Sequence, residues 1–497
     1  MVYNLNLGIG WASSGVEYAQ SYRANMFRRV GIPAKFVFMD MFPNENMEHM
    51  TKNIGFLDEE IIWLYTFFTG IKTSPVTFTL DDLEATFSEE HYEFTRTGKI
   101  CKYFFNNETY YTVYMVDAAS DRVHRVEIVS RNLLIRKDYY TYCKIYSEYY
   151  APYDNKAKLY GRRYFNEAGS CVYEEIIDED DVIFKFADRI LYGKEALIGY
   201  MIEKMQLSSD DMVIIDRATG VAQQTLENCN NARVVSIVHA DHFSENVSED
   251  NILWNNYYEY VFDQYKRINY FITATDAQNK LMREHFMTMV GEEPNIVTIP
   301  VGSLDRLVYP DKARKKHSLI SASRLAVEKH CDWLVEAVVK AHEVVKDVSL
   351  DIYGKGAEEG RIQTLINELG AEDYIHLMGQ HKLDEVYKEY EAYLSASQSE
   401  GFGLSLMEAI GSGLPIIGFD VRYGNPTFVD DNQNGFLIPV TDDMEKQEKI
   451  NKLAECVIKL FTDADVEEFI EHSYTKAKEY LTEEVEKRWE RLVKSAM

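Results

Sequence analysis

The hydrophobic pattern along the chain changes twice, and each change predicts a domain boundary. In residues 1–73 and 193–305, short apolar runs alternate with segments whose apolar residues recur at helical spacing. This alternation is typical of a parallel sheet covered by helices. Residues 74–192 instead contain short β-rich runs separated by turn residues, which predict an antiparallel meander. We therefore expect an N-terminal α/β lobe with an inserted β-sheet domain, whose first strand is "VTFTLDD" at 76–82.

A second α/β pattern covers residues 306–465, and the helical spacing that follows predicts helices at 466–497 that brace the lobes. Residues 395–417, "SASQSEGFGLSLMEAIGSGLPII", follow a predicted buried strand and predict a loop, a helix closed by glycine and a second strand. In parallel sheets, ligands bind beyond the carboxyl ends of the strands, where a helix start offers free N–H groups to an anion. The predicted fold class is therefore α/β, with two Rossmann-like lobes facing a ligand-binding cleft.

Two loops of the second lobe carry charged residues that indicate the chemistry of the ligand. Arg324 and Lys329 follow one predicted strand and Glu400 follows another, so both loops are expected to open on the same edge of the sheet. Two cations can neutralise a diphosphate, whereas carboxylates such as Glu400 and Glu408 accept hydrogen bonds from hydroxyl groups. Each charge alone is typical of a solvated surface. Together with the glycine-rich turn at 400–405, they predict a site for a ligand that carries both an anionic group and hydroxyls.

Composition narrows the class of protein. Lys and Arg number 53 and Asp and Glu number 81, and the resulting net charge of −28 would repel nucleic acid. The six cysteines show no C-x-x-C or zinc-type spacing, so we expect free thiols in a reducing cytosol and no metal site. The first residues lack a basic signal region, and no apolar run reaches the ~18 residues that span a bilayer. The expectation is a cytoplasmic globular protein of two or three domains.

Histidines and glycines after two predicted strands suggest other kinds of site, but their spacing argues against both. His239 and His242 leave a strand rather than share a helix face, and no third ligand is near them in sequence, so a metal site is not expected. For both histidines, a purely structural role remains the main alternative to a role beside the substrate. Gly8, Gly10 and Gly15 depart from the dinucleotide fingerprint, because the third glycine comes five residues after the second instead of three.

Four segments carry a resemblance to a known family: "SRLAVEKH" at 323–330, "YGKG" at 353–356, "SEGFGLSLMEAIGSGLPII" at 399–417 and "NGFLI" at 434–438. They resemble the retaining, nucleotide-sugar-dependent glycosyltransferases of family four, which have the two-lobed GT-B fold. The segment "NLGIGWASSGVEYAQ" and the β-rich insertion narrow the resemblance to the catalytic A subunits of the O-glycosyltransferases of the bacterial accessory secretion system. This resemblance extends over nearly the whole chain.

The resemblance implies a reaction as well as a fold. It implies transfer of N-acetylglucosamine from UDP-N-acetylglucosamine to Ser or Thr hydroxyls of serine-rich repeat adhesins before export, with retention of configuration and without a metal or other cofactor. It also implies a homologous, non-catalytic B subunit that stabilises the enzyme and presents the acceptor in a heterotetramer, with the inserted sheet as the docking domain. The implied location is the cytoplasm, extending to the inner face of the cell membrane.

Position by position, the resemblance also implies roles for residues at matching places in this sequence. Arg324 and Lys329 would bind the diphosphate, and Glu408 would bind the ribose hydroxyls. Glu400 and His239 would lie beside the donor sugar and complete the implied catalytic set with Arg324 and Lys329. The other implied donor-binding residues are Gly401, Phe402 and Gly403 next to Glu400, Gln380 and His381 at the uracil, and Gly15, Val16, Glu17 and Tyr18 near the UDP phosphates.

Several alternatives stay open beside this function. UDP-glucose is an alternative donor, because the side chains that set the size of the sugar pocket lie outside the motifs. A teichoic-acid glucosyltransferase shares the insertion and the donor motifs and differs in its acceptor. A non-catalytic sister subunit is less favoured. It is expected to lose either the glutamate pair, Glu400 and Glu408, or the basic pair, Arg324 and Lys329, and this sequence contains both pairs. A sensor would bind the UDP-sugar without releasing UDP.

Overall fold

The computed structural model describes residues 1–9, 15–106, 108–154, 156–244, 252–441 and 443–495. The chain divides into two compact units. The first comprises Met1–Ile237 and Asn256–Asn269, and the second comprises Val238–Asn255 and Tyr270–Met497. Within the described ranges, no helix combines the length and the apolar composition needed to cross a bilayer. The division into lobes at residues 73, 192, 305 and 465 stays a prediction.

The first unit contains both parallel and antiparallel strands. Its strands are β1 (Val2–Asn6), β2 (Ala34–Phe38), β3 (Ile61–Trp63), β4 (Glu93–Thr97), β5 (Ile100–Phe104), β6 (Thr109–Met115), β7 (Val123–Ser130), β8 (Leu133–Tyr140), β9 (Lys144–Tyr153), β10 (Lys156–Phe165), β11 (Cys171–Asp178), β12 (Asp181–Lys185), β13 (Ile190–Tyr192), β14 (Met212–Ile215) and β15 (Arg233–Val238). Its helices are α1 (Gly15–Arg29), α2 (Met47–Asn53), α3 (Leu64–Phe67), α4 (Leu80–Glu84), α5 (Gly193–Met205), α6 (Ala222–Asn228) and α7 (Glu259–Asp263).

The parallel part of the first unit is built around β1. β1 pairs with β14 on one side and β2 on the other, β2 pairs with β3, and β14 pairs with β15. Phe36, Val37 and Phe38 of β2 are fully buried. Strands covered on both faces read as continuous apolar runs, which is why the sequence pattern predicts this part of the sheet.

The insertion between β3 and β14 is an antiparallel meander, as predicted. In the described part of the chain, β4 to β13 lie side by side in sequence order. Buried tyrosines stack across neighbouring strands: Tyr139 on Tyr146 with ring centroids 4.4 Å apart, and Tyr164 on Tyr173 at 4.3 Å. Cross-strand aromatic pairs stabilise a sheet beyond the area they bury. The tyrosines that crowd this segment therefore include packing pairs of the sheet.

The prediction of a strand at 76–82 is wrong. The second half of this segment begins helix α4 instead, because Thr79 and Asp82 cap it reciprocally. The Asp82 N–H donates to Thr79 Oγ1 at 3.1 Å, and the Thr79 N–H donates to the Asp82 carboxylate at 2.9 Å. This pattern of Thr followed by an acid three residues later satisfies two backbone donors at a helix start, and here it outweighs the β-branched composition.

The second unit contains two groups of parallel strands and most of the long helices. Its strands are β16 (Tyr270–Thr273), β17 (Ile296–Thr298), β18 (Ser318–Ala322), β19 (Ser349–Tyr353), β20 (Ile375–Gly379), β21 (Ala392–Leu394), β22 (Ile416–Asp420) and β23 (Gly435–Pro439). Its helices are α8 (Asp276–Val290), α9 (Cys331–His342), α10 (Glu359–Glu368), α11 (Leu404–Gly411), α12 (Gly424–Phe428), α13 (Lys446–Thr462), α14 (Val466–Ala477) and α15 (Thr482–Ser495).

The larger sheet of the second unit has a topological switch point. Its strands lie in the order β20, β19, β18, β21, β22, β23, and every neighbouring pair is parallel. The chain therefore builds the sheet from β18 toward one side, and then returns to β21 and builds toward the other. In open α/β sheets, ligands bind outside the carboxyl ends of the strands at such a point. The strand predicted before the segment 395–417 is found as β21, and the loop, helix and strand predicted within that segment are found as the loop 395–403, α11 and β22.

The C-terminal tail is helical, as its spacing predicts. α14 and α15 bury apolar residues that include Phe469, Val485 and Trp489. Arg314 connects α14 to the sheet's loops, since its guanidinium donates to the Tyr474 hydroxyl at 3.2 Å and to the Tyr390 and Ser412 carbonyls, each at 2.7 Å. The role of the tail in bracing the lobes stays a prediction.

Candidate functional site

The switch point of the second unit brings two loops of opposite charge together. The loop 323–330 follows β18 and the loop 395–403 follows β21. These strands are neighbours, with Leu319 opposite Ala392 and Ile320 opposite Tyr393. Because the carboxyl ends of parallel strands meet at the same edge, both loops open on that edge.

Lys329 reaches across this edge and contacts the other loop. Its Nζ donates a hydrogen bond to Glu400 Oε1 and another to Ser397 Oγ, the latter at 3.2 Å. The Lys329 side chain is 15% exposed and that of Glu400 is 20% exposed. A partly desolvated ion pair of this kind fixes both side chains in one geometry. The structure thus places a cation and a carboxylate beside each other, where the sequence predicts a diphosphate and a sugar.

Arg324 has a different environment from Lys329. Its side chain is 79% exposed and pairs with Glu328 on the same loop, at 3.3 Å. An exposed pair of this kind contributes little to stability. Arg324 and Lys329, the two cations predicted to bind the diphosphate, therefore lie at the same edge of the sheet. Of these two, only Lys329 contacts the loop that follows β21.

The glycine-rich turn prepares the start of α11 for an anion. Gly403 has φ +90°, and a Cβ at this position would lie 2.6 Å from Leu406 Cδ1, so only glycine adopts this turn without strain. In the described part of the chain, no side chain caps α11 at Gly403. Helix N-termini carry partial positive charge and unsatisfied N–H groups. The backbone of Glu400 is held from the other side, because its carbonyl accepts hydrogen bonds from the N–H groups of Tyr423 and Gly424 at 2.6 and 2.8 Å.

Glu408 lies one turn further along α11 and is half-buried. Burial raises the pKa of its carboxyl from 4.5 to about 7; a hydrogen bond from the Tyr387 hydroxyl lowers it, and the charge of Asp384 raises it. The hydroxyl of Tyr387 donates to Glu408 Oε2 at 3.2 Å. A carboxyl with this pKa exchanges its proton near neutral pH. The ionised form accepts hydrogen bonds through both oxygens, whereas protonation turns one oxygen into a donor and leaves a weaker acceptor for a pair of vicinal hydroxyls.

The predicted uracil contacts lie at the end of a neighbouring strand. Gln380 and His381 follow β20 and are both exposed. The ring of His381 lies edge-on to that of Tyr353, with centroids 5.9 Å apart. Tyr353 begins the "YGKG" segment, whose Gly354 lies so close to the Ser323 carbonyl that a side chain would not fit. This motif therefore packs directly beneath the loop that carries Arg324.

The two histidines after β15 have separate environments within the second unit. His239 is half-buried, and its carbonyl oxygen lies 3.3 Å from where a Cβ on Gly401 would be. His242 is fully buried and its Nε2 lies 3.0 Å from His285 Nδ1. Burial, followed by the charges of His285 and Arg422, lowers the pKa of His242 to about 3, so it is neutral at physiological pH. Among the described residues, no cluster of three or more metal-binding side chains occurs.

The remaining predicted residues belong to the first unit and form the first turn of α1. Tyr18 is exposed, Gly15 is exposed and Val16 is half-buried. Glu17 is buried, accepts a hydrogen bond from Asn6 Nδ2 at 3.4 Å and pairs with Arg217 at 3.5 Å. The structure thus gives Glu17 a role in holding the end of β1 to α1. The predicted role of these four residues near the UDP phosphates stays a prediction.

Comparisons with known proteins agree with this geometry. Residues 93–188 match the GtfA extended beta-sheet domain, and residues 310–463 match the glycosyl transferases group 1 family. A relative from Streptococcus gordonii, named UDP-N-acetylglucosamine--peptide N-acetylglucosaminyltransferase GtfA subunit, is 50% identical over 99% of this chain and 98% of its own. The chain belongs to the GtfA family of glycosyltransferases. A relative from Streptococcus agalactiae with the same name is 48% identical over 98% of this chain and 97% of its own.

Solved structures of GtfA proteins have the same fold. A crystal structure of a GtfA/B complex matches with a TM-score of 0.96 at 50% identity, covering 100% of this chain and 99% of that one. The pneumococcal O-GlcNAc transferase GtfA, crystallised with UDP and GlcNAc, matches with a TM-score of 0.88 at 46% identity, covering 100% and 98%. The predicted family and the predicted GT-B fold with an inserted antiparallel sheet are therefore confirmed. The roles of the individual site residues stay predictions.

The site of this GtfA-family chain includes residues that the sequence did not single out. Ser397 accepts a hydrogen bond from Lys329, and Tyr387 donates one to Glu408. Ser397 lies three residues before Glu400 in the same motif, and this proximity was a usable signal. Tyr387 carries no such signal, because it lies in a helical turn between β20 and β21 and reaches Glu408 only through the tertiary fold.

Proposed function

We propose that this chain transfers N-acetylglucosamine from UDP-N-acetylglucosamine to Ser or Thr hydroxyls of a serine-rich repeat adhesin before the adhesin is exported. The observation that carries the proposal is the switch-point edge, where Lys329, Glu400 and the uncapped start of α11 lie together. The names of GtfA relatives that are 45–50% identical support the donor and the peptide acceptor. The UDP and GlcNAc in the pneumococcal structure support the same donor.

In this proposal, the donor binds along the edge of the larger sheet. Its diphosphate lies between Lys329 and the first N–H groups of α11, which together offset its negative charge. Arg324 supplies a second cation by rotating in from solvent. Ionised Glu408 accepts hydrogen bonds from the ribose hydroxyls, and Glu400 accepts them from the sugar.

The proposed transfer needs no nucleophilic side chain. The bond between the anomeric carbon and the β-phosphate oxygen breaks, and the acceptor oxygen forms its bond on the same face of that carbon. Bond formation on that face retains the configuration, and the proton of the acceptor hydroxyl passes to the departing phosphate, so charge balances. Lys329 and the α11 dipole stabilise the charge that develops on UDP, and holding both substrates in place lowers the entropic part of the barrier.

The proposal extends to the partner, the location and the cofactor. A homologous non-catalytic B subunit would stabilise the chain and present the acceptor in a heterotetramer, with the sheet β4 to β13 as the docking domain. The crystal structure of a GtfA/B complex and the match of residues 93–188 to the GtfA extended beta-sheet domain support this part. We place the reaction in the cytoplasm, extending to the inner face of the cell membrane, and without a metal.

One experiment tests donor, acceptor and partner together. The chain is produced with and without the candidate B subunit and incubated with UDP-N-acetylglucosamine or UDP-glucose. Each reaction contains either a serine-rich peptide or poly(glycerol phosphate), and the product is weighed by mass spectrometry. The proposal expects one N-acetylhexosamine per modified site on the peptide. Transfer of glucose would support UDP-glucose as the donor, and transfer to the polymer alone would support a teichoic-acid glucosyltransferase. Binding of the UDP-sugar without any product would indicate a sensor or an adaptor.

A further inference from the structure

The hydroxyl of Tyr393 joins β21 to β18, the two strands of the switch point, beyond the place where their backbones pair. Tyr393 is the last residue of β21 that pairs with β18, where it lies opposite Ile320. Beyond this point β21 stays with β22, since the Ser395 N–H donates to the Ile417 carbonyl at 2.9 Å. Two residues further along β18, the Ala322 N–H donates to the Tyr393 hydroxyl at 3.2 Å, and that hydroxyl donates to the Ala322 carbonyl at 2.9 Å.

The same hydroxyl also contacts the first turn of α11. It lies 3.1 Å from Ser405 Oγ, and Ser405 follows Gly403 by two residues. A hydroxyl has one hydrogen to donate and two lone pairs that accept. Because its hydrogen goes to the Ala322 carbonyl, Tyr393 accepts from Ala322 and Ser405, and its bonding capacity is filled. Tyr393 as a whole is 3% exposed.

These three bonds join the two halves of the proposed donor site. Ala322 directly precedes the loop with Arg324 and Lys329, whereas Ser405 lies in the helix start proposed to receive the diphosphate. We propose that Tyr393 is a positioning residue that sets the distance between the basic loop and the start of α11. The inference rests on the proposed function, and it assigns the effect to the hydroxyl rather than to the ring.

Removal of the hydroxyl separates this role from general stability. Tyr393→Phe keeps the ring but leaves the Ala322 N–H and carbonyl without their partner. Tyr474→Phe is a matched control, because the Tyr474 hydroxyl is also buried and bonds to the Val308 carbonyl at 2.8 Å and the Ser412 carbonyl at 3.0 Å. Ser412 follows the far end of α11, so the control loosens the same helix away from the site. Both variants are expected to have a lower Tm.

The readout that distinguishes them is affinity for UDP, measured by calorimetry well below both melting temperatures. We expect the Kd of Tyr393→Phe to rise roughly fivefold to tenfold, the change that the loss of an ordinary hydrogen bond produces. The Kd of Tyr474→Phe should stay within about twofold of the unmodified chain. Ser405→Ala serves as a second variant, since it keeps both Ala322 bonds and is expected to raise the Kd by a smaller factor.

The outcomes separate this inference from the proposed function. If the unmodified chain does not bind UDP, the proposed function fails and the inference fails with it. If the unmodified chain binds UDP and Tyr393→Phe binds it equally well, the inference alone is overturned. If Tyr393→Phe does not fold, an unchanged Kd for UDP in Ser405→Ala overturns the inference instead. An equal loss of affinity in Tyr474→Phe would also overturn it, because the effect would then be one of helix stability.

Discussion

The protonation of Glu408 makes donor binding depend on pH in a direction that the structure fixes. Burial raises the pKa of this carboxyl from 4.5 to about 7. With that pKa, about one carboxyl in ten is ionised at pH 6 and about nine in ten at pH 8. The groups that face it are the Tyr387 hydroxyl, which stays protonated over this range, and the carboxylate of Asp384.

The size of the effect follows from the fraction of ionised carboxyl. If only ionised Glu408 accepts from the ribose hydroxyls, the apparent Kd is the intrinsic Kd divided by that fraction, so binding weakens about tenfold from pH 8 to pH 6. Calorimetry with UDP-N-acetylglucosamine measures this, because its diphosphate has no terminal phosphate to titrate. Since the folded-state pKa lies above the ordinary value, the stability contributed by this group falls as pH rises from about 4.5 to 7. As pH rises, the stability that this group contributes to the free chain therefore falls, while the affinity of the chain for the donor increases.

Glu408→Gln provides the control for this prediction. An amide has no proton to lose, so the variant should bind UDP-N-acetylglucosamine with little dependence on pH between 6 and 8. An unmodified chain whose affinity stays flat, or improves at low pH, would contradict the reasoning. If the affinity of the unmodified chain and that of Glu408→Gln changed equally with pH, a group other than Glu408 would be responsible for the pH dependence.

Three further predictions concern the same edge of the sheet. Lys329→Ala should lower kcat by about 10²- to 10³-fold in the peptide transfer assay, whereas Lys487→Ala, at an exposed position of α15, should leave it unchanged. Gly403→Ala should lower Tm and weaken UDP binding, because the φ of +90° and the nearby Leu406 side chain oppose a Cβ at this position. The control Gly360→Ala, where a Cβ would meet open space, should neither lower Tm nor weaken UDP binding. Dialysis against EDTA should leave transfer intact, and loss of activity restored by one divalent cation would refute the metal-free proposal.

Local signals in the sequence predict much of this fold. The unit formed by β21, the loop 395–403, α11 and β22 is encoded by apolar runs and by glycines at both ends of α11, and these signals act within a few residues. The same reliance on local pattern produced the error at 76–82. There, β-branched residues predicted a strand, and the capping pair Thr79 and Asp82 started a helix instead.

The sequence predicts the edge on which the site lies but not the state of each side chain. Arg324 and Lys329 look equivalent in the motif, yet the structure exposes the first and holds the second against Glu400. This difference depends on the direction of each side chain at the end of β18 relative to β21, which only the packed sheet sets. Tyr393 escapes a motif search for the same reason, since its partners Ala322 and Ser405 are brought to it by the tertiary fold.

The position of the donor diphosphate tests the account most directly. Crystals of this chain soaked with UDP should show pyrophosphate density within hydrogen-bond distance of Lys329 Nζ and the first N–H groups of α11, with the ribose beside Glu408. Density for UDP at any place away from the loops 323–330 and 395–403 would contradict the assignment of the site.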